Sequence, residues 1–381
     1  MSQLSRTQNP ASFSLNKSAT EGHRVLVWGA LGLIGFNLTE ALLAAGFKVS
    51  VLCRSRSAYA EPHWASQVEW HELPPSSEES SFEKMLDEAV KSASIIVDLA
   101  GSSGAVTSNN KPVESLDSNC RIQLQFLQAC QRARNKPHVV FASSRLVYGP
   151  TDKPLVPEDH PVSPRSMYAA HKLCIEHYLQ IYASLGAITY TICRISNAYG
   201  PDPGGAGHGY KILNSFITRS LSGSPITLFG SGEQVRDFIF VHDLVASLVR
   251  CCVHPRAVNQ IFNLGSGVAC RLVDAARIVR QLTNGPPILF QPWPEEYVAV
   301  ESGDYVSDTR KLEAFLRASP QWSIEDGILS TIRACQGKHQ NHRAEIAVPM
   351  LVPPIVALPP LAVIAKHSGR RRAIASSPFM P

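Results

Sequence analysis

The chain has 381 residues, of which 44% are hydrophobic and 18% charged, and its formal net charge is +5. This composition is typical of a globular protein, and at about 150 residues per domain the length predicts two or three units. The small, dispersed positive charge argues against a nucleic-acid partner. The nine cysteines include no C-x-x-C pair, which predicts no metal site and favours reduced thiols in a cytoplasmic protein.

The two ends of the chain differ in composition from the rest. Residues 1–22 are polar and lack the apolar stretch of a secretory signal, so we expect a flexible N-terminal lead. Residues 346–365 carry no charge and are nominally long enough to cross a bilayer. Five prolines interrupt them, however, and each would break a helix, while extended backbone is not tolerated in hydrocarbon. We therefore expect residues 336–381 to form a Pro-rich, disordered tail, and a membrane association is disfavoured.

A glycine turn follows the first apolar strand. The strand, Arg24 to Trp28, runs into the sequence G-A-L-G-L-I-G and then into a helix with apolar periodicity. This order places a helix N-terminus where it can bind a pyrophosphate, and glycines allow close backbone approach. The turn predicts dinucleotide binding, and its candidate cofactor contacts are Gly29, Gly32, Leu33, Ile34 and Gly35.

The end of the second strand, Lys48 to Leu52, is where the adenosine ribose of a dinucleotide would lie. A carboxylate there selects NAD, whereas a nearby arginine accommodates the 2′-phosphate of NADP. The chain has Cys53 and Arg54 at this point and no acid. NADP is therefore permitted, and the alternative is that Arg54 stacks on the adenine or faces solvent.

Two further stretches are candidates for the cofactor side of a pocket. The strand from Ser94 to Leu99 leads into a small-residue turn that begins with Ala100 and Gly101, where backbone can pass close to a cofactor. The next helix is predicted from about Ser115 to Ala133 and carries Asn119 near its start. This Asn is either a cap or turn residue or an amide that braces the pocket.

An acid-base pair is predicted on the helix that Ser166 opens. Tyr168 and Lys172 are four residues apart and share one helical face. The ordinary pKa of a phenol is about 10, and a neighbouring ammonium is expected to lower that pKa. Ser144 ends the preceding strand, at the sheet edge where α/β folds bind ligands, and its hydroxyl can donate to a sugar oxygen or carbonyl. The alternative is chance helical spacing and a serine that closes a turn.

Strands and helices alternate to about Asn197 and are shorter and mixed afterwards. This predicts an α/β fold with a Rossmann-type doubly wound parallel sheet in residues 23–200 and a smaller mixed α/β cap domain for substrate, mainly residues 201–335. Whether residues 236–267 complete the sheet stays open. In the cap, Arg236 could bind a diphosphate through its guanidinium, or it could pair within the chain with Asp237 or Asp243.

These motifs together resemble the extended short-chain dehydrogenase/reductase family, specifically its nucleotide-sugar epimerase/dehydratase branch, over residues 24–333. The motifs that carry the resemblance are Gly29/Gly32/Gly35, Ser143-Ser144-x-x-Val-Tyr148-Gly149, Tyr168-x-x-x-Lys172, Arg194-x-x-Asn197-x-Tyr199-Gly200-Pro201, Arg236-Asp237-Phe238 and Asn263-Leu-Gly-Ser-Gly267.

The resemblance implies a nicotinamide cofactor held by the sheet and a nucleoside-diphospho-sugar held by the cap. It implies that Ser144 is the catalytic hydroxyl, Tyr168 the base, and Lys172 the residue that binds the nicotinamide ribose. The substrate-side candidates are Ser144, Asn197, Arg236 and Tyr305, with Asn197 and Arg236 matching positions that contact the diphosphate. Family members dimerise through the helix of Tyr168 and its neighbour, so a homodimer is expected.

Departures from the family pattern narrow the reaction. The 4,6-dehydratases of this family carry Asp-Glu at the positions where this chain has Arg145-Leu146. An elimination reaction is therefore disfavoured, and so is a decarboxylation that needs the Glu. Many relatives also carry an arginine shortly before the Tyr305 region, where this chain has Tyr297 to Glu301.

The sequence therefore predicts a nucleotide-sugar epimerase that transfers hydride reversibly at C4 of an NDP-sugar, through a 4-keto intermediate, with a recycled NAD. One alternative is an NADP-dependent reductase of a keto sugar or similar carbonyl. Another is a non-catalytic nucleotide-binding protein on the same fold, against which the presence of Ser144, Tyr168 and Lys172 argues.

Overall fold

The computed structural model describes residues 23–56, 61–75, 77–202 and 211–337. The expected N-terminal lead, the Gly/Pro-rich loop after Asp202 and all but the first two residues of the expected tail, 336–381, lie outside the described residues. Those two residues end a helix instead. Among the helices of the described ranges, none combines the length and the apolar run needed to cross a bilayer.

Fourteen strands are present in the described residues. They are β1 (Arg24–Trp28), β2 (Lys48–Cys53), β3 (Glu69–Glu72), β4 (Ile95–Asp98), β5 (His138–Ser144), β6 (Leu155–Val156), β7 (Thr189–Ile195), β8 (Asn197–Tyr199), β9 (Thr227–Phe229), β10 (Val235–Phe240), β11 (Gln260–Leu264), β12 (Ala269–Arg271), β13 (Leu289–Gln291) and β14 (Val306–Ser307).

The α-helices of the same residues connect and cover these strands. They are α1 (Leu33–Ala44), α2 (Glu79–Lys91), α3 (Ala105–Asn110), α4 (Pro112–Leu116), α5 (Ile122–Arg132), α6 (Met167–Ser184), α7 (Ile212–Leu221), α8 (Val241–Val253), α9 (Leu272–Thr283), α10 (Glu295–Val298), α11 (Arg310–Leu316) and α12 (Ile324–Gly337).

Seven parallel strands form the main sheet in the order β11-β7-β5-β4-β1-β2-β3. This confirms the predicted Rossmann-type sheet. Alternate residues of β1 enter different cores: Val25 and Val27 pack on one face, and Leu26 and Trp28 on the other. Strands covered on both faces are apolar throughout, which explains the uninterrupted apolar run of β1.

The elements that follow β7 in the chain are divided between the main sheet and the cap. Strand β11 returns to the sheet edge beside β7, whereas β10 pairs with β8 and β12 in a separate three-stranded sheet. Residues 236–267, whose place the sequence left open, therefore contribute strands to both the main sheet and the three-stranded sheet.

The helix predicted from Ser115 to Ala133 is interrupted. Helices α4 and α5 are joined by one π-helical turn, Asp117–Arg121. Such a turn holds an extra residue, which a search for a 3.6-residue period cannot detect. The turn buries Asn119.

Candidate active site

A cavity of about 490 Å³ lies at the carboxyl edge of the sheet, between the glycine turn and α6. Its wall includes eleven of the residues singled out from the sequence: Gly29, Gly32, Leu33, Ile34, Gly35, Ala100, Gly101, Ser144, Tyr168, Lys172 and Asn197. Four others, Arg54, Asn119, Arg236 and Tyr305, are not on this wall. The structure therefore brings the glycine turn and the Ser-Tyr-Lys set to one hollow.

The glycine turn shapes one side of the cavity. Gly29 has φ +91°, and a Cβ on Gly35 would lie 2.2 Å from the Gly29 carbonyl oxygen, so both positions exclude a side chain. A Cβ on Gly32, which caps α1, would meet only that same oxygen, at 3.6 Å. The start of α1 has no side-chain cap and no acid in its first turn. Its free N–H groups suit an anion such as a pyrophosphate.

Tyr168 is partly buried in the cavity wall, and Ser144 lies beside it. Burial raises the pKa of Tyr168 to about 12, and the hydrogen bond with the Ser144 hydroxyl lowers it by less. Lys172 Nζ lies 5.9 Å from the centroid of the Tyr168 ring. The expected lowering of the phenol pKa by Lys172 is not seen in the protein alone: the shift is upward, and burial is its main cause. The phenol holds its proton at neutral pH.

The charge of Lys172 is directed towards the sheet. Its Nζ is 3.5 Å from the Ala100 carbonyl oxygen and 4.6 Å from the centroid of the Phe141 ring. Asp98, at the end of β4, is fully buried, and burial raises its pKa to about 6 although Lys172 opposes the shift. Burial also lowers the pKa of Lys172, with Asp98 acting in the opposite sense. Asp98 and Lys172 thus share a buried environment behind the cavity.

Asn119 lies directly behind Gly101. Its amide nitrogen donates to the Ser115 carbonyl oxygen at 3.1 Å, whereas its buried Oδ1 has no hydrogen-bond partner among the described residues. A Cβ on Gly101 would lie 2.4 Å from this Oδ1. Asn119 therefore supports the Ala100-Gly101 turn from behind, and Gly101 leaves room for it.

The end of β2 contains no carboxylate. Cys53 is buried, and burial raises its pKa to about 11, so it is uncharged at neutral pH. The nearest acid on the adjacent strand is Glu72, which pairs with Cys53 in register and accepts from the Arg56 backbone N–H at 3.2 Å. Arg54 is exposed and lines two grooves outside the main cavity.

Arg236 does not face the cavity. Its Nη2 donates to both carboxylate oxygens of Glu301, at 2.7 and 2.8 Å, and its Nη1 donates to the Gly303 carbonyl oxygen at 2.8 Å. An intrachain pair, the alternative raised from the sequence, is what forms, but with Glu301 instead of Asp237 or Asp243. Asp237 instead accepts from the Ser266 and Ser307 backbone N–H groups.

The other two substrate-side candidates differ in position. Asn197 lies on the cavity wall, where its amide nitrogen donates to the Asp237 carbonyl oxygen at 2.9 Å. Tyr305 is buried away from the wall, with its ring stacked 6.0 Å from that of Tyr148.

A buried ion pair beneath the site was missed from the sequence. Arg194 Nη2 donates to Glu176 Oε2 at 2.7 Å, and the Ser143 hydroxyl donates to Glu176 Oε1 at 2.5 Å. The pair joins α6 to β7 and β5, the elements that carry Tyr168 and Ser144. A signal was present: Glu176 lies four residues after Lys172, on a helical face that is otherwise buried.

The chain belongs to the NAD dependent epimerase/dehydratase family, whose model matches residues 25–265. It is an enzyme family. Among curated proteins, the chain is 29% identical over 325 residues to UDP-glucose 4-epimerase of Mycolicibacterium smegmatis, covering 83% of this chain and all of that protein. It is 27% identical over 340 residues to UDP-glucuronic acid decarboxylase 1 of Xenopus tropicalis, covering 86% and 75%.

A solved structure gives the same result for the fold. The Thermus thermophilus UDP-glucose 4-epimerase, in complex with NAD, matches with a TM-score of 0.72 at 26% identity, covering 82% of this chain and 99% of that one.

Proposed function

We propose that the protein is a nucleotide-sugar 4-epimerase. The observation that carries this proposal is that Ser144, Tyr168 and Lys172 line one cavity with the glycine turn. The similarity to UDP-glucose 4-epimerases over nearly their whole length supports it. Leu146, in place of the acid that dehydratases and Glu-dependent decarboxylases use, disfavours those reactions.

The residues present fit a nicotinamide dinucleotide. The uncapped start of α1 would hold the pyrophosphate, and the turn at Ala100 and Gly101, together with Lys172, would hold the nicotinamide end. When bound in its oxidised form, the cofactor supplies a hydride acceptor and a positive charge. Every other step falls to the chain's own side chains.

Tyr168 would take the proton of the C4 hydroxyl. It would return the proton to the same oxygen after the 4-keto sugar has rotated to present its other face. Ser144 would donate to that oxygen while negative charge develops on it. Lys172 supplies the nearby positive charge that favours the phenolate. Burial raises the pKa of Tyr168 to about 12, so the phenol is protonated at neutral pH in the protein alone. The proposed role as a base needs the phenolate, whose share rises with pH and with positive charge near the ring.

The test of the reaction uses UDP-glucose labelled with deuterium at C4 and follows the products by NMR. We expect UDP-galactose in which the label is retained at C4, without consumption of added nucleotide, because the hydride leaves and returns at one carbon. Loss of the label to water would contradict a 4-epimerase. So would loss of the C6 carboxyl of UDP-glucuronate when that compound replaces UDP-glucose under the same conditions.

The cofactor preference has a second candidate. The absence of an acid at Cys53 and the exposed Arg54 favour NADP binding, and an NADP-dependent reductase of a keto sugar is the alternative function. The affinities of the purified protein for NAD and for NADPH distinguish the epimerase from the reductase.

Alanine substitutions at two glycines of the turn are expected to affect different properties, stability in one case and dinucleotide binding in the other. Gly35→Ala should lower the free energy of unfolding by about 1–3 kcal/mol, because its methyl meets the Gly29 backbone. Gly32→Ala should change stability by less than about 0.5 kcal/mol but weaken dinucleotide binding at least about tenfold, because the methyl occupies the cradle. Urea unfolding and calorimetric titration measure the two effects. Unchanged dinucleotide affinity in Gly32→Ala would show that the cofactor lies elsewhere.

We also propose a homodimer. Leu124 on α5, and Ile181 and Leu185 at the end of α6, are exposed apolar side chains on adjacent helices, and burial against a second copy would remove them from water. Sedimentation equilibrium should show twice the chain mass, and a monomer at micromolar concentration would contradict this.

A further inference from the structure

Arg145 follows Ser144 directly and lies on the wall of the active-site cavity. It begins the short 3₁₀ turn Arg145–Val147 that leaves β5, and only 8% of the residue is exposed. In the sequence, Arg145 stood out only because it differs from the residue that dehydratases carry at this position, which disfavours elimination. In the structure it lines the same cavity as Ser144, whose hydroxyl would hold the reacting sugar oxygen.

Within the described ranges, the guanidinium of Arg145 forms no ion pair with a carboxylate. Its Nη1 donates to the Ser302 hydroxyl at 3.1 Å, and its central carbon lies 5.2 Å from the centroid of the Tyr305 ring. Among the residues that the structure describes, no carboxylate oxygen comes within 4.0 Å of its nitrogens. Burial, with the charge of Arg236 acting in the same sense, lowers the pKa of Arg145 to about 10, although Tyr305, Glu301 and Asp237 oppose the shift. In the part of the chain that the structure describes, this charge is therefore buried without a direct ion pair.

The neighbouring buried arginines are different. Arg194 is paired with Glu176, and Arg236 with Glu301. The two lysines on the cavity wall are also accounted for, because Lys211 pairs with Asp202 and Lys172 lies near Asp98. A buried charge without a counterion is costly, and a ligand that carries the missing negative charge would offset that cost.

We propose that Arg145 is a specificity residue that binds a carboxylate carried by the sugar of the substrate, so that the enzyme prefers an NDP-hexuronate to an NDP-hexose. This inference rests on the proposed function. A C6 carboxylate is attached to C5, the neighbour of the reacting C4, and Ser144 and Arg145 line the same cavity. The planar guanidinium fork matches a carboxylate with two parallel hydrogen bonds.

The experiment compares the affinities of the NAD-loaded protein for UDP-glucuronate, UDP-glucose and UDP by calorimetric titration. We expect the wild type to bind UDP-glucuronate at least about tenfold more tightly than UDP-glucose. Arg145→Met should weaken UDP-glucuronate binding at least about thirtyfold and change the other two affinities less than about threefold. Arg145→Lys, which keeps the charge without the fork, should fall between. Arg277→Met, at an exposed arginine on α9, is the control and should leave all three affinities unchanged.

Two results would overturn the proposal. Equal wild-type affinities for UDP-glucuronate and UDP-glucose would do so even if Arg145→Met failed to fold. Equal weakening of all three ligands in Arg145→Met would show that the residue binds the diphosphate instead. Binding is measured independently of turnover, so an Arg145-dependent preference without any epimerisation would leave this inference standing and remove the 4-epimerase assignment.

Discussion

Tyr168→Phe is expected to lower kcat at least about a hundredfold, because the variant has no hydroxyl to exchange a proton with the substrate. The fold should persist, since the ring still fills its partly buried position, and dinucleotide affinity should change little. Turnover in the NMR assay and thermal unfolding measure the two quantities. Activity in the wild type should rise with pH from neutrality, because the pKa of Tyr168 lies well above that range.

The matched control is Tyr182→Phe, which removes a phenol from the same helix at a position outside the cavity. It should turn over at the wild-type rate. Near-normal activity in Tyr168→Phe, or an equal loss in both variants, would remove Tyr168 as the group that moves the proton.

Arg194→Met is expected to lower the free energy of unfolding by about 3–5 kcal/mol, because it leaves Glu176 buried without a counter-charge. Both side chains are at most 5% exposed. Burial lowers the pKa of Arg194, but Glu176 more than offsets this, so the net pKa is raised. Arg194 therefore keeps its positive charge at neutral pH. Urea unfolding measures the loss.

Two further variants separate the buried pair from ion pairing in general. Arg24→Met breaks the exposed pair with Glu69 and should cost less than about 1 kcal/mol. The double variant Arg194→Met, Glu176→Met should recover much of the stability, because no unpaired charge remains. A loss below about 1 kcal/mol in Arg194→Met alone would contradict the role assigned to the pair.

Local patterns were enough for the sheet and for one side of the cavity. The apolar run of β1, the glycine turn and the helix after it are contiguous in sequence, and parallel strands bring their carboxyl ends to one edge. Ser144 and Tyr168 could therefore be expected near the turn from the sequence alone, and the structure places them on one wall.

Long-range pairing could not be predicted in the same way. Arg236 meets Glu301, 65 residues later, and no local pattern distinguishes that partner from the adjacent Asp237. The pKa of Tyr168 depends on how completely the folded chain buries the phenol, which helical spacing from Lys172 does not reveal. The π-helical turn at Asn119 adds one residue to a regular period, and Arg145 reaches the cavity from a short turn without periodicity.

The most direct test of the account is the identity of the nucleotide that the purified protein carries. The protein is prepared without added nucleotide and denatured, and the released material is identified by mass spectrometry. We predict NAD at close to one molecule per chain, because a cofactor that is regenerated in each turnover has no need to leave. Protein that carries no dinucleotide and binds none when NAD is added would contradict the central claim.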